Sequence, residues 1–255
     1  MNFYSKKIYF SLLIPTAFFA GSFQPVFAAS LFSAKSNIIL TIDSIVSSSG
    51  NTAGLSIDGL FEIGTATTAP GFGNAVTGDG QSSYTYTGAN QLPLAVSAGN
   101  SVNQFFNATG GAGNGSIDSY YQAYGTFNFA NNSASDIFTI NFSLLYTLIA
   151  NTSGEFAESQ VSIDYYDDLF LVTAGSDMVI ANTLTIPNAA AFNSSPLTFS
   201  MTLNAGDFNT FYTDVAITGT ASSVSAVPLP AAFWLFLSGV IGLRRYQGKA
   251  MFARN

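Results

Sequence analysis

Between about residue 30 and residue 226, apolar and polar residues alternate in short runs separated by clusters of Gly, Asn, Ser and Pro. A period of two sends successive side chains to opposite faces of an extended strand. Many short alternating runs therefore predict a sandwich or barrel of antiparallel strands. The clearest run is Asp136–Leu148, in which Phe138, Ile140, Phe142, Leu144, Tyr146 and Leu148 share one face and Thr139, Asn141, Ser143 and Thr147 the other. One face of that strand belongs to a core and the other to water.

The same reading predicts strands at Asn37–Val46, Leu55–Ile63, Ser82–Thr87, Tyr120–Phe129, Gln160–Tyr165, Met178–Ile186, Leu197–Leu203 and Asp214–Thr220. These nine strands suffice for two packed sheets. The expectation is an all-β, antiparallel β-sandwich of jelly-roll-like wrapping, occupying residues 29–221. Asn107–Ser116 contains Gly110, Gly111, Gly113 and Gly115 and reads as a mobile loop. Residues 222–226 read as a short linker. No run has a helical period across the middle of the chain, and no fixed-period repeat suggests a solenoid or propeller.

The two ends have a different pattern. Residues 1–28 carry a basic start at Lys6 and Lys7, an apolar stretch from about Ile8 to Ala20, and the small-residue pattern Val26-Phe27-Ala28. This is the composition of a secretory signal peptide cut between Ala28 and Ala29, with a secretion translocase and signal peptidase as partners. Residues 227–255 open on Val227-Pro228-Leu229-Pro230 and continue as an uncharged apolar run, Ala231–Leu243, which ends on Arg244 and Arg245 ahead of a basic tail, 244–255. The prolines enforce extended geometry and the apolar run can form a helix, with the arginines held on the cytoplasmic side. Thirteen helical residues span about 20 Å against a hydrocarbon core of about 30 Å, so this short transmembrane helix is a marginal permanent anchor.

Proline motif, apolar run and arginine pair, in that order, resemble the PEP-CTERM sorting signal of Gram-negative bacteria in its VPLPA-CTERM variant. This C-terminal region is also labelled an ice-binding protein C-terminal domain. The resemblance covers Val227–Arg245, with Leu229 where the commonest signal has Glu. It implies transient residence in the inner membrane, recognition of Val227, Pro228, Leu229, Pro230, Arg244 and Arg245 by an exosortase-type membrane protease, and delivery to the cell surface or the exopolysaccharide matrix.

Charge and composition narrow what the middle can do. Only 8% of residues are charged, while Phe and Tyr supply 24 and 12 side chains. All carboxylates fall between Asp43 and Asp214, and between Lys7 and Arg244 the only basic residue is Lys35. Such a surface repels nucleic acid. The chain has no cysteine and no histidine. Disulfides, triad hydrolysis and the usual ligands of zinc, copper and iron are thereby excluded. Oxygen donors remain, and the densest group, Asp164, Asp167 and Asp168, preceded by Glu155 and Glu158, is a candidate calcium site at a strand end; a solvated acidic turn is the competing reading. No other cofactor is expected. Glu155, Glu158 and Asp164 are formally available to a carboxylate-based glycosidase, which would need two of them paired across a groove. Gly71-Phe72-Gly73 and Gly110–Gly115 lack nucleotide-loop spacing. Tyr84, Tyr86, Tyr120, Tyr121, Tyr124, Tyr165 and Tyr166 could form stacking platforms for sugars, or be half-buried strand tyrosines. The resulting expectation is an exported, non-enzymatic surface or matrix protein that adheres to extracellular polysaccharide or envelope proteins. The alternatives are a glycan- or ice-binding module and a glycosidase.

Overall fold

The computed structural model describes residues 29–64, 72–88, 96–168, 174–185, 188–224 and 238. The leader, Ala28 and, apart from Ser238, the sorting tail from Val227 to Arg245 lie outside the described residues. By its contacts the chain divides into two units, of which Phe27–Ser225 holds the strands of the described residues. Among the described residues, no helix is long and apolar enough to cross a membrane.

Among the described residues, twelve strands form two antiparallel sheets. Sheet A contains β1 (Ser30–Ser47), β4 (Gln81–Gly88), β5 (Ser101–Ala112), β7 (Phe138–Ser153), β10 (Ala189–Asn193) and β11 (Leu197–Leu203), with β4, β5, β1 and β7 side by side and β10 and β11 both along the far edge of β7. Sheet B contains β2 (Leu55–Ile63), β3 (Gly73–Gly78), β6 (Gly115–Asn131), β8 (Phe156–Asp167), β9 (Gly175–Asn182) and β12 (Phe208–Ser223), with β6, β12, β8 and β9 side by side and β2 and β3 both along the edge of β6. Each sheet therefore has one edge built from two short strands laid end to end.

The alternation foreseen in β7 is borne out: Phe138, Ile140, Phe142, Leu144, Tyr146 and Leu148 are all buried. Strands β6, β8 and β12 keep the same rhythm, and their inward residues meet those of β1, β5 and β7 in one core. Phe142 stacks on Phe129 and on Phe199, with centroids 5.5 and 5.3 Å apart, and meets Phe211 edge-on at 5.2 Å. Each such ring contributes about 1.5–3 kcal/mol by leaving water, which lets a chain without disulfides hold two large sheets together.

Several boundaries correct the sequence reading. Asn107–Ala112 is the second half of β5 and Gly115 opens β6, so the glycine-rich stretch is strand on both sides of a bend. Its glycines answer to packing: a Cβ at Gly110 would overlap the Phe32 ring, and one at Gly111 would overlap the Leu31 side chain. The bend is pinned by Asp79, whose Oδ1 accepts from the amides of Gly113 at 2.9 Å and Asn114 at 2.7 Å. Strand β12 continues through Ser222 and Ser223, which the linker reading had claimed. β9 ends at Asn182 and turns at Thr183–Leu184, short of the expected Ile186. Strands β3, β5 and β10 were not foreseen as strands.

Candidate functional site

The two outward faces of the sandwich differ sharply. On sheet A, cross-strand rows read Ser83, Thr109, Ser33, Asn151 and then Thr87, Phe105, Asn37, Thr147, Asn193. Hydroxyl and amide side chains dominate this face. Lys35 stands on it between Asn107 and Ile149, and Asp43, at the β1 bulge, accepts from the Ser143 hydroxyl at 3.0 Å.

Sheet B presents carboxylates and tyrosines. Asp58, Glu62, Asp118, Glu158, Asp164 and Asp214 occupy outward positions of β2, β6, β8 and β12. No basic residue occurs in any strand of this sheet. The central row runs Glu62, Tyr124, Asp214, Asp164 across β2, β6, β12 and β8, and the next row runs Leu60, Thr126, Tyr212, Tyr166. Strands lie about 4.8 Å apart, so the central row is about 14 Å long.

Asp214 is the electrostatic centre of this face. Burial beside the rings holds its carboxyl above the usual carboxylate range; the hydrogen bond from the Tyr166 hydroxyl, at 3.0 Å, pulls the other way, and the neighbouring Asp164 charge pushes it further up. The tyrosines respond in kind. Tyr166 is pushed up to about 12, first by burial and then by the Asp214 charge. Tyr120 and Tyr124 are raised by burial and by Asp214, and Tyr212 chiefly by its hydrogen bond to Asp168. Tyr166 and Tyr212 stack, with centroids 5.0 Å apart and planes 22° from parallel. The Tyr212 hydroxyl donates to Asp168 Oδ1 at 2.7 Å and that of Tyr120 to Gln122 Oε1 at 2.8 Å. Their hydroxyls thus engaged, these rings are held in place while still partly exposed.

The candidate residues read from the sequence divide accordingly. Tyr120, Tyr124 and Tyr166 belong to this face. Tyr121 is buried and meets Tyr84 and Phe72, Tyr84 also packs on Phe106, and Tyr86 packs on Phe61, so these three close one flank of the sandwich. Tyr165 packs inward against Tyr146 and Phe199. The proposed calcium ligands do not converge: Asp164 faces outward, Asp168 is engaged by Tyr212, and Asp167 points into the sandwich, fully buried, with Asn209 Nδ2 3.3 Å from its Oδ2. Among the described residues no three carboxylates are grouped to hold a metal ion. The alternation of β8 separates them: its register against β12 runs unbroken through Asp167, so Asp164 and Tyr166 face outward while Tyr165 and Asp167 turn inward.

Glu158 and Asp164 lie six residues apart on one strand, about 20 Å, and Glu155 sits in the β7–β8 bend, so none of these three pairs across a groove. Asp164 does lie directly opposite Asp214, but on the open sheet face. A groove of about 800 Å³ lies elsewhere, between Leu31–Ser33, Gln81–Ser83, Thr109–Gly113 and Asn151–Ser153. Its single carboxylate, Asp79, is committed to the bend described above. Tyr212 and Asp214 were missed as site residues; their signal was available, since they are the outward positions of a strand already recognised from its alternation.

No family model, curated protein or solved structure matches this chain.

Proposed function

We propose that this chain is an exported, non-enzymatic cell-surface or exopolysaccharide-matrix protein whose sandwich holds extracellular polysaccharide or envelope components on its broad outer faces. The observation that carries this reading is the outward face of sheet B, where tyrosines held in place by hydrogen bonds stand among carboxylates on a wide, open surface. Flat arrays with half-exposed rings suit a polymer whose sugars have apolar faces and polar rims. The carboxylates are spread over the sheet, which favours adhesion over catalysis.

The ends supply the delivery. The leader directs the chain through the inner membrane, and Val227–Arg245 serves as the sorting signal, read by an exosortase-type protease that releases the sandwich to the surface or matrix. The jelly-roll-like wrapping belongs to this reading too. It is supported by the chain's repeated passage between sheets, as from β5 to β6, β6 to β7 and β7 to β8. An ice- or neutral-glycan-binding module is the second reading, and it rests on the largely uncharged Ser, Thr and Asn rows of sheet A.

Intact-mass spectrometry of the protein from the surface and medium of its native host, with co-sedimentation on the host's matrix polysaccharide, tests the proposal. Loss of the leader near Ala28/Ala29 and of the tail beyond Pro228–Pro230, with polysaccharide-dependent sedimentation, is the expected outcome. A tail retained in the membrane fraction, or a processed protein indifferent to the polysaccharide, overturns it.

A further inference from the structure

The carboxylates of sheet B are unusual in having no cationic partner. Lys35, the only basic side chain among the described residues, stands on the opposite sheet. Asp214 is partly withdrawn from water among tyrosines and faces Asp164 directly, and Glu62 extends the same row beyond Tyr124. Like charges placed opposite one another across a sheet are destabilising, and burial adds to the cost. Folding alone gains nothing from this arrangement, whereas a cation arriving from outside would relieve it.

The aromatic component restricts what that cation can belong to. Tyr166 and Tyr212 are stacked and tied to Asp214 and Asp168, so their rings are ordered before any ligand arrives. Along β12, the outward positions after Asp214 are Ala216 and Thr218, small side chains that leave a low strip between Gln122 and Tyr120 on one side and Ser162 and Gln160 on the other. A chain of flat rings fits a low strip bordered by aromatics and by amide and hydroxyl groups. Preordered rings and open carboxylates favour binding by cutting the entropy that the protein would otherwise lose.

We propose that the outward face of sheet B binds a polysaccharide bearing free amino groups, its sugar faces packing on Tyr120, Tyr124, Tyr166 and Tyr212 and its ammonium groups pairing with Asp214, Asp164 and Glu62. This deepens the polysaccharide-adhesion reading and rests on it, naming the ligand as a cationic amino-sugar polymer. Charge complementarity selects it over neutral or acidic glycans, because a sheet with no basic side chain repels the latter. The aromatic strip selects it over a simple polycation.

The test is calorimetric titration of the full chain in detergent micelles with a glucosamine hexamer and with its fully N-acetylated counterpart. The glucosamine oligomer binds, its affinity falls with added salt, and the acetylated oligomer binds about tenfold or more weakly. Asp214→Asn and Tyr212→Ala each weaken glucosamine binding by about tenfold, while Lys35→Glu on the far sheet leaves it unchanged. Tyr166→Phe, which keeps the ring, retains most of the affinity and guards against misfolding as the cause of loss. Equal binding of both oligomers overturns the amino-sugar assignment while leaving polysaccharide adhesion standing. Displacement by polylysine with no dependence on Tyr212 overturns the glycan in favour of bare charge. Binding of neither oligomer by a protein that still sediments with its host's polysaccharide also overturns the inference; absence of sedimentation as well removes the underlying reading.

Discussion

Gly219→Ala isolates one packing device of the sandwich. Phe32, on β1, lies with its ring between two glycines, Gly110 on the neighbouring strand β5 and Gly219 on β12 of the opposite sheet. The nearest atoms that a Cβ at Gly219 would meet all belong to the Phe32 ring. With Gly110 behind it, that ring has nowhere to retreat. Overpacking of this kind costs about 1–3 kcal/mol. Gly219 does not adopt the left-handed conformation, so alanine also restricts the unfolded chain and returns about 0.4–1 kcal/mol. The net loss lies between about 0 and 2.6 kcal/mol, which lowers Tm by at most about 10 °C for a domain of this size.

The decisive measurement is a double-mutant cycle by urea unfolding. Phe32→Ala alone costs about 3–5 kcal/mol, within the total stability of an ordinary domain. In that background the steric conflict is gone, so Gly219→Ala changes sign and stabilises by about 0.4–1 kcal/mol. Gly110→Ala behaves differently, because its Cβ would also lie 2.9 Å from the Gln81 carbonyl oxygen, and deleting the ring leaves that backbone conflict in place. Additive effects of Gly219→Ala and Phe32→Ala, or equal rescue at both glycines, would refute the argument that a single ring dictates Gly219.

Two further outcomes concern sheet B. Because the Asp214 carboxyl is raised in the folded state, its contribution to stability is present below the unfolded carboxylate pKa and lost as pH rises through the folded value. Asp214→Asn should therefore stabilise the protein at pH 7 and gain progressively less on acidification; equal effects at pH 7 and pH 3 in thermal melts would contradict this. Tyr166, pushed up to about 12, keeps its proton in the folded state after the unfolded chain has begun to lose it, so stability falls as pH rises from about 10 toward 12. Tyr166→Phe makes that alkaline decline shallower, read by circular dichroism against pH, and an unchanged decline would count against the assignment.

Period-two alternation made the long strands legible because each has one face in the core. Leu55–Ile63 and Leu197–Leu203 match their strands end to end, and the inward face of β7 holds residue for residue. What alternation cannot reveal is a strand without a contrast between its faces. Gly73–Gly78 has no fully buried residue, and Ala189–Asn193 presents three alanines in succession. The second half of β5 failed for another reason. Glycine there accommodates Phe32 and Leu31 from β1, a long-range requirement that local glycine content misreports as a loop. The site was legible only in part. Tyr120, Tyr124 and Tyr166 were in view, but their grouping with Tyr212 and Asp214 depends on β12 lying between β6 and β8. That strand order involves pairings between distant segments, which no local pattern records. The same information gap explains the calcium expectation: closeness in sequence at Asp164–Asp168 concealed that Asp167 turns inward.

The asymmetry between the two faces bears most directly on function. Both sheets bury the same kind of apolar layer, so the demands of folding on their outward faces are similar. Yet a chain in which only 8% of residues are charged places Asp58, Glu62, Asp118, Glu158, Asp164 and Asp214 outward on one sheet, and chiefly Ser, Thr and Asn on the other. Solubility alone would be served by carboxylates dispersed over both. Concentrating them among tyrosines, with Asp214 partly desolvated and facing Asp164, costs stability that a bound cation would restore. Sheet B is therefore the face whose chemistry is least explained by folding, and the one on which recognition should be sought first.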